Sequence, residues 1–471
     1  MLRQASSIAG VHFYFSAAEE VRQARVTAKM RCFWKKVAWY SAVFTGLLGC
    51  FPSSVSCQQY SKSDREFAHA MLRDVSADVQ KYYYDAKLHG VDWDARVRQA
   101  KENIDKADSL NGAVAEIAAA LDSLNDSHTF FIPPPRTFDL DYGFKMEMIG
   151  DHCYIIRVRS GSDAERKGLK PGDEIVAVDE HPLSRRTLWR IHYIYDTLSP
   201  QPGLRLTLRN DAGQERQLEV LAKFKTASDV KYFLHQGVNV MVQDADKKRL
   251  LLRARYFEKG DGFLAVKIPE FGFSAEEVDN IISKMRKHKC VVLDLRGNPG
   301  GFTDTLDRLL GGLFQNDVKT FDRVQRSASK PVTATGRHHD AFIGRFIVLI
   351  DSESASASEL FARVVQLERR GFVIGDHSAG KVMEAKRYRH EVGVDMGIFY
   401  AASVTVADLL MADGKSLEHL GVEPDIEILP TAHDLANACD PAMAKAAGLL
   451  GVQLSPQEAA TMFPYEDPTG N

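Results

Sequence analysis

The chain of 471 residues lacks an excess of charge of either sign: 60 Lys and Arg stand against 63 Asp and Glu, a net charge of −3. That balance argues against a nucleic-acid partner, and no acidic tail marks a charged substrate. Cysteine is scarce, with six in all (Cys32, Cys50, Cys57, Cys153, Cys290 and Cys439). They form no CxxC pair and no regular spacing, which argues against a disulfide framework and a zinc site. The 15 histidines form no HExxH or other tight ligand set, so no metal is expected, and nothing calls for an organic cofactor. The apolar run at residues 37–49 has thirteen residues, short of the about 20 that a membrane span needs. No internal repeat and no long low-complexity stretch occurs.

What remains is ordinary for a soluble globular protein: 45% hydrophobic and 26% charged residues. The length suits two or three packed units. At the N-terminus, Met30-Arg31-Cys32-Phe33-Trp34-Lys35-Lys36 is a basic region ahead of the apolar run, and Ser54-Val55-Ser56 offers small residues for cleavage. This is the pattern of a secretory signal, with Met30 as the start and residues 1–29 as an extension. Leu47-Leu48-Gly49-Cys50 also resembles a lipobox with Cys50 as the lipidated residue, and an uncleaved signal anchor is the other alternative. The expected location is outside the cytoplasm, periplasmic or membrane-associated.

Five regions follow from the patterning: residues 1–57 (extension and signal), 58–139 (helical), 140–225 (β-rich), 226–430 (alternating strand and helix) and a tail at 431–471. In the helical region Val114, Ile117, Ala118 and Leu121 recur at i, i+3, i+4 and i+7. Asp126-Ser127-His128-Thr129 ends it, and Pro133-Pro134-Pro135 breaks regular structure. In the β-rich region two alternating runs flank Asn210-Asp211-Ala212-Gly213, a hairpin signal. Residues 250–430 read as an α/β layer. Ser274 and Glu277 form a capping box there, and Val291-Val292-Leu293-Asp294-Leu295 is a buried strand.

Three segments carry chemistry. Asp351-Ser352-Glu353-Ser354-Ala355-Ser356-Ala357-Ser358-Glu359-Leu360 leaves a buried strand and enters a helix, which brings a serine beside unpaired N-terminal amides suited to developing negative charge. Read alone, its serines also serve as plain helix caps. Leu295-Arg296-Gly297-Asn298-Pro299-Gly300-Gly301 follows another buried strand, and adjacent glycines let backbone N–H groups approach a ligand; a simple turn is the alternative. Gly375-Asp376-His377-Ser378-Ala379-Gly380-Lys381 brings a lysine behind a strand, where desolvation would make it a base and exposure would leave it a solvated charge.

In order and spacing these segments, together with Gly414-Lys415-Ser416-Leu417-Glu418-His419-Leu420-Gly421-Val422-Glu423-Pro424-Asp425, resemble the tail-specific, C-terminal-processing serine peptidases across about 300 residues. Tyr142-Gly143-Phe144 followed by Gly168-Leu169-Lys170-Pro171-Gly172-Asp173 resembles a PDZ domain. The resemblance implies an α/β, crotonase-like (ClpP/crotonase) peptidase core, a helical N-terminal part and an inserted β-rich PDZ domain. It implies that Tyr142, Gly143 and Phe144 receive the C-termini of protein or peptide substrates. It makes Ser356 the nucleophile, with Ala357 and Gly300 or Gly301 as the oxyanion hole. For the base it leaves two readings open. Lys381 lies 25 residues after Ser356, as in the Ser/Lys members, but Ala379-Gly380-Lys381-Val382 departs from their Phe-Gly-Lys-Gly, and Ala385 stands where they carry glutamine. In the tricorn-like branch His128 is the base, with Ser127 and Glu418 beside it. The competing functions are an inactive PDZ-bearing scaffold and an α/β-hydrolase esterase. The esterase needs a Gly-x-Ser-x-Gly elbow, and alanines flank Ser356.

Overall fold

The computed structural model describes residues 60–464, apart from 137, 211, 227–251, 261 and 394–396. The signal sequence and Cys50 lie outside the described residues. Three helices open the described chain: α1 (Lys62–Tyr82), α2 (Trp93–Asp105) and α3 (Leu110–Asp122). Each begins at a residue whose side chain accepts from its first turn, namely Ser61, Asp92 and Ser109. In α3 the stripe of Val114, Ile117, Ala118 and Leu121 is buried, as its spacing requires. It packs with Met71, Leu72 and Val75 of α1 in one core.

A turn at residues 126–129 then leads into β1 (Phe130–Ile132). Next, β2 (Phe138–Asp141) pairs with β9 (Lys223–Thr226) as a two-stranded stalk. Between them lies an antiparallel sheet of β3 (Phe144–Ile149), β4 (His152–Val158), β5 (Glu174–Val178), β7 (Gly203–Arg209) and β8 (Glu215–Leu221), with β6 (His181–Pro182) on β5. β3 is an edge strand of that sheet. Helices α4 (Asp163–Arg166) and α5 (Leu188–His192) accompany it, and α5 continues into a π turn at Tyr193–Leu198. The β7–β8 hairpin closes where Asn210 Oδ1 accepts from the Ala212 and Gln214 amides.

The core sheet has the order β10-β11-β12-β15-β16-β19. These strands are β10 (Arg255–Lys259), β11 (Phe263–Lys267), β12 (Cys290–Asp294), β15 (Arg345–Ile350), β16 (Phe372–Gly375) and β19 (Ile426–Glu427). All neighbours are parallel except β10 with β11. Both faces are covered, which is why β12 and β15 read as unbroken apolar runs. On one face Leu264, Val266, Leu293 and Val348 meet α6 (Ala275–Met285), α7 (Thr303–Gly311) and α8 (Ala357–Leu367). On the other, Ala265, Val292, Ile347 and Leu349 meet Met443, Ala446, Ala447 and Ala459 of the tail. The tail holds three short helices, α9 (Ala432–Ala436), α10 (Pro441–Leu449) and α11 (Pro456–Ala460), and so completes the core. Phe361 of α8 is fully buried between Phe271 and Phe346; truncation to alanine there would cost about 3–5 kcal/mol.

A second sheet holds β13 (Val318–Gln325), β14 (Ala328–Ala334), β17 (Met383–Val392) and the long β18 (Ile398–Leu410), with β1 alongside β18. The Phe131–Ala402 pairing carries residues 126–129 to the core although about 270 residues separate the strands. The loops leaving the C-terminal ends of β12, β15 and β16 are neighbours, the usual place for a ligand crevice in a parallel sheet.

Candidate active site

Ser356 sits where β15 gives way to α8. Its φ of 56° and ψ of −116° lie in a region that serine rarely adopts, a conformation worth about 1–3 kcal/mol of local strain. Neighbouring bonds hold it there. Its N–H lies 2.9 Å from both the Lys381 carbonyl and Glu359 Oε2. Asp351 Oδ1 accepts from the amides of Gly297, Glu353 and Ser354, which fastens the serine loop to the glycine loop. Fully buried Asn298 reinforces that junction: its carbonyl accepts from the Ala355 amide and Ser358 Oγ, and its Nδ2 donates to the Ile268 carbonyl.

The glycines are required by contact as well as by φ. A Cβ on Gly300 would lie 2.6 Å from Ser356 Cβ, and one on Gly301 would lie 2.4 Å from the Phe271 carbonyl oxygen. The two differ in what their amides have left to give. Gly300 N–H donates to Asn298 Oδ1 at 2.8 Å, whereas Gly301 lines the cleft. Ala357 is the first residue of α8, and such amides have no partner within the helix.

Two acidic side chains organise the far wall. Glu359, fully buried, accepts from four donors: the amides of Ser356, Gly380 and Lys381 and the Ser378 hydroxyl. Burial pushes its carboxyl up to about 7, against the pull of those donors. Glu418 accepts from the Ser127 amide at 2.7 Å, the Ser127 hydroxyl at 2.9 Å and the Val382 amide at 2.8 Å. Burial raises its carboxyl as well.

Ser127 Oγ is also 2.7 Å from His128 Nδ1. A hydroxyl has one proton, and an ionised carboxylate only accepts. Because Ser127 gives its proton to Glu418, the His128 bond must run from Nδ1–H to Oγ. Nδ1 is then the protonated nitrogen and Nε2 carries the lone pair. Burial drives the imidazole down to about 4; Asp126 opposes that shift and the Lys381 charge adds to it, so the ring is neutral at pH 7. Asp126 Oδ1 accepts from the amides of His128 and Thr129 and from the Thr405 hydroxyl, which sets the turn.

Lys381 is held differently. Its peptide is fixed by Ser356 and Glu359, while its Nζ lies 5.7 Å from the centre of the Trp189 ring. Burial holds its ammonium below the usual lysine range, against the pull of Glu359, Glu418 and Glu353. Among the described residues neither Lys381 Nζ nor His128 is hydrogen-bonded to Ser356 Oγ; such bonds often tighten only when substrate is present.

A cleft of about 1350 Å³ brings together Ser127, His128, Gly301, Ser356, Ala357 and Lys381. Glu418 stands behind Ser127. Tyr142, Gly143 and Phe144 lie apart from the cleft, at the start of β3. There Tyr142 Oη donates to the Gln201 carbonyl and Gly143 N–H donates to Asp141 Oδ1 at 3.0 Å, so a ligand carboxylate must compete with Asp141 for that amide. β3 also touches the serine loop: Ser352 Oγ donates to the Met148 carbonyl, and Lys145 pairs with Glu353. Arg185 clamps Asp376 with two contacts of 2.6 Å and reaches the Gly150 and His377 carbonyls.

Sequence reasoning assigned no role to Glu359, Asp126, Asn298, Trp189 or the Arg185–Asp376 pair. Glu359 had a signal, since Ser followed three residues later by Glu is a capping-box pattern. Asp126 and Asn298 had the weaker local signal of side chains that cap the amides two or three residues on, while Trp189 and the Arg185–Asp376 pair depend on contacts distant in sequence.

Comparison with known proteins agrees with this geometry. Residues 263–428 match the model of peptidase family S41, and residues 140–191 match the PDZ domain model. The tail-specific protease of Haemophilus influenzae is 28% identical over 64% of this chain and 43% of its own length. The carboxy-terminal processing protease CtpB of Bacillus subtilis is 24% identical over 69% of this chain and 64% of its own. The chain thus spans less than half of the first relative and about two thirds of the second. Among solved structures, mature CPAF complexed with lactacystin superposes with a TM-score of 0.58 at 15% identity, over 79% of this chain and 96% of that one. The photosystem II D1 C-terminal processing protease gives 0.50 at 17%, over 83% and 99%. These two establish a shared fold. The loops that meet at Ser356 fall inside the span similar to peptidase family S41, and the sheet leaning on them begins with the span similar to a PDZ domain, so the chain carries an S41-like peptidase region preceded by a PDZ-like one.

Proposed function

We propose that the chain is a serine endopeptidase that cleaves proteins by acyl transfer, with its PDZ domain receiving substrate C-termini. Ser356 is the nucleophile and His128 the general base. The observation that carries this choice of base is the Glu418–Ser127–His128 chain, which leaves a neutral imidazole with its lone pair on Nε2. Ser356 Oγ attacks the peptide carbonyl carbon as its proton passes to Nε2. The carbonyl oxygen becomes an anion beside the amides of Ala357 and Gly301. The C–N bond then breaks as Nε2–H gives its proton to the leaving amine. Water, deprotonated by the same nitrogen, adds to the acyl carbon; the C–Oγ bond then breaks as Nε2–H returns its proton to Ser356 Oγ, and the new carboxylic acid leaves. No metal or organic cofactor has a step in this scheme.

Lys381 is the second reading for the base, favoured by its lowered ammonium and by the bond from Ser356 N–H to its carbonyl. We read the core as crotonase-like, on the strength of its parallel sheet with helices on both faces and a second sheet beside it. The divisions at residues 58–139, 140–225, 226–430 and 431–471 and export by the N-terminal segment complete the proposal. Export draws support from the basic region and apolar run at residues 30–49. The test is labelling with a fluorophosphonate probe followed by peptide mapping. Modification of Ser356, lost in Ser356→Ala, is the expected result. A full-length protein that resists the probe and cuts no unstructured protein would return the inactive scaffold to the front.

A further inference from the structure

We propose that Asp440, which lies in the tail beyond the span matched by the peptidase family, is a positioning residue that holds the glycine loop in register with Ser356; this rests on the acyl-transfer reading above. Arg296 opens that loop, five residues before Gly301. Its guanidinium is gripped on two sides. Nε and Nη2 donate to Asp294 Oδ1 and Oδ2 at 3.0 and 2.9 Å, and Nη1 and Nη2 donate to Asp440 Oδ1 and Oδ2 at 2.9 and 2.7 Å. Lys267 Nζ adds a bond to Asp294 Oδ1 at 3.1 Å and another to the Arg296 carbonyl. The cluster balances two cations against two anions, and Asp294 is 1% exposed. Two-sided, bidentate contacts of this kind fix a direction as well as a distance.

Main-chain bonds tie the loop to Asp351, Ala355 and Phe271, but few of its own side chains anchor it. Gly297, Gly300 and Gly301 all have positive φ, at 69°, 100° and 145°, and bring no side chain of their own to hold. Its side-chain anchors are Arg296 and Asn298. The Asn298 side chain ties it to the Ile268 carbonyl; Arg296 ties it through Asp440 to the tail. Asp440 is itself immobilised, since its Oδ1 caps α10 through the Met443 amide and its N–H donates to the Pro456 carbonyl. α10 in turn packs Met443, Ala446 and Ala447 on the core sheet. The tail thereby sets where an oxyanion donor stands. An error of about 1 Å in such a placement can cost about 100-fold in rate.

Asp440→Asn separates this role from plain stability, because asparagine caps a helix as well as aspartate does while the charge facing Arg296 is lost. Cleavage of an unstructured protein would give kcat and KM, a peptide boronate with an apolar P1 side chain would report transition-state affinity, and an uncleaved peptide on a Ser356→Ala background would report ground-state affinity. For Asp440→Asn, kcat and boronate affinity should fall together by on the order of 10–100-fold, with KM and peptide affinity within about twofold. Asp440→Glu should fall between the two. Asp434→Asn, which disturbs only the Thr431 capping box of α9, should leave the kinetic constants unchanged. Wild-type kcat and boronate affinity in Asp440→Asn, or equal losses in ground-state and boronate affinity, would overturn the proposal. A wild type that neither cleaves nor binds the boronate would instead remove the acyl-transfer reading, and this proposal with it.

Discussion

Glu359 accepts four hydrogen bonds and Glu418 three, and between them they hold adjacent amides of one loop, Lys381 N–H on Glu359 and Val382 N–H on Glu418. Beyond that shared grip the two diverge. Three of the four donors to Glu359 are backbone amides, so this carboxylate fixes main-chain geometry around Ser356. Glu418 takes the Ser127 hydroxyl and through it fixes the tautomer of an imidazole. Of the two candidate bases, Lys381 is thus anchored by its peptide and His128 by its side chain. A general base needs a fixed tautomer and ring orientation, and the bond at Nδ1 gives His128 both and leaves Nε2 to accept, which is the physical reason to prefer His128.

The comparison breaks most visibly at the groups it serves. Ser356→Ala should abolish cleavage, by at least about 10⁴-fold in kcat, with an unchanged circular dichroism spectrum; a purified variant that still cuts would end the nucleophile assignment. His128→Ala should lose on the order of 10³-fold, and Lys381→Met on the order of tenfold or less through its lost charge. The reverse ranking in the same assay would transfer the base to Lys381.

The carboxylates themselves give smaller effects with distinct signatures. In Glu359→Gln an amide NH2 must face two donors wherever it points, the Ser356 and Lys381 amides at Oε2 or the Gly380 amide and the Ser378 hydroxyl at Oε1. In Glu418→Gln the NH2 placed at Oε1 faces one hydrogen-bonded donor, the Ser127 amide, with His419 Nε2 farther off at 3.6 Å, and the remaining oxygen keeps the hydroxyl and Val382. Each such clash costs about 1–3 kcal/mol. Glu359→Gln should therefore melt at a lower temperature than Glu418→Gln, while Glu418→Gln should lose about 10–100-fold in kcat through the weakened hold on His128. Equal melting temperatures would contradict the donor count.

Much of this was legible before any fold was known. Strand β12, the Ser356 junction and the α3 stripe follow from local periodicity, and both candidate bases were named from position. The arrangement of the bases was not legible. Ser127 and Glu418 are 291 residues apart and meet only because β1 pairs with β18. Gly300 and Gly301 read alike in sequence, yet the Asn298 side chain engages one amide of the pair. The tail gave no readable role because its short helices act through packing on a sheet face and through one carboxylate, Asp440. Neither is a pattern within the tail itself.

The least dramatic effect is also the most discriminating. Burial raises Glu359 from its ordinary 4.5 to about 7 and lowers His128 to about 4. A carboxyl raised on folding contributes stability that is present below its unfolded pKa and lost as pH rises through the folded one. Between pH 4.5 and 7, then, this group favours the folded state more strongly as pH falls. Activity should run the other way, because protonated Glu359 gives up an acceptor position that Ser356 and the 380–381 peptides use. We expect kcat/KM to fall a few-fold as pH drops through about 7, then steeply near 4 as His128 takes a proton, with the first step retained in Lys381→Met. Loss of that step in Lys381→Met would assign it to the lysine. A profile flat from pH 8 to 5 would show that Glu359 keeps its charge, and that its four donors outweigh its burial.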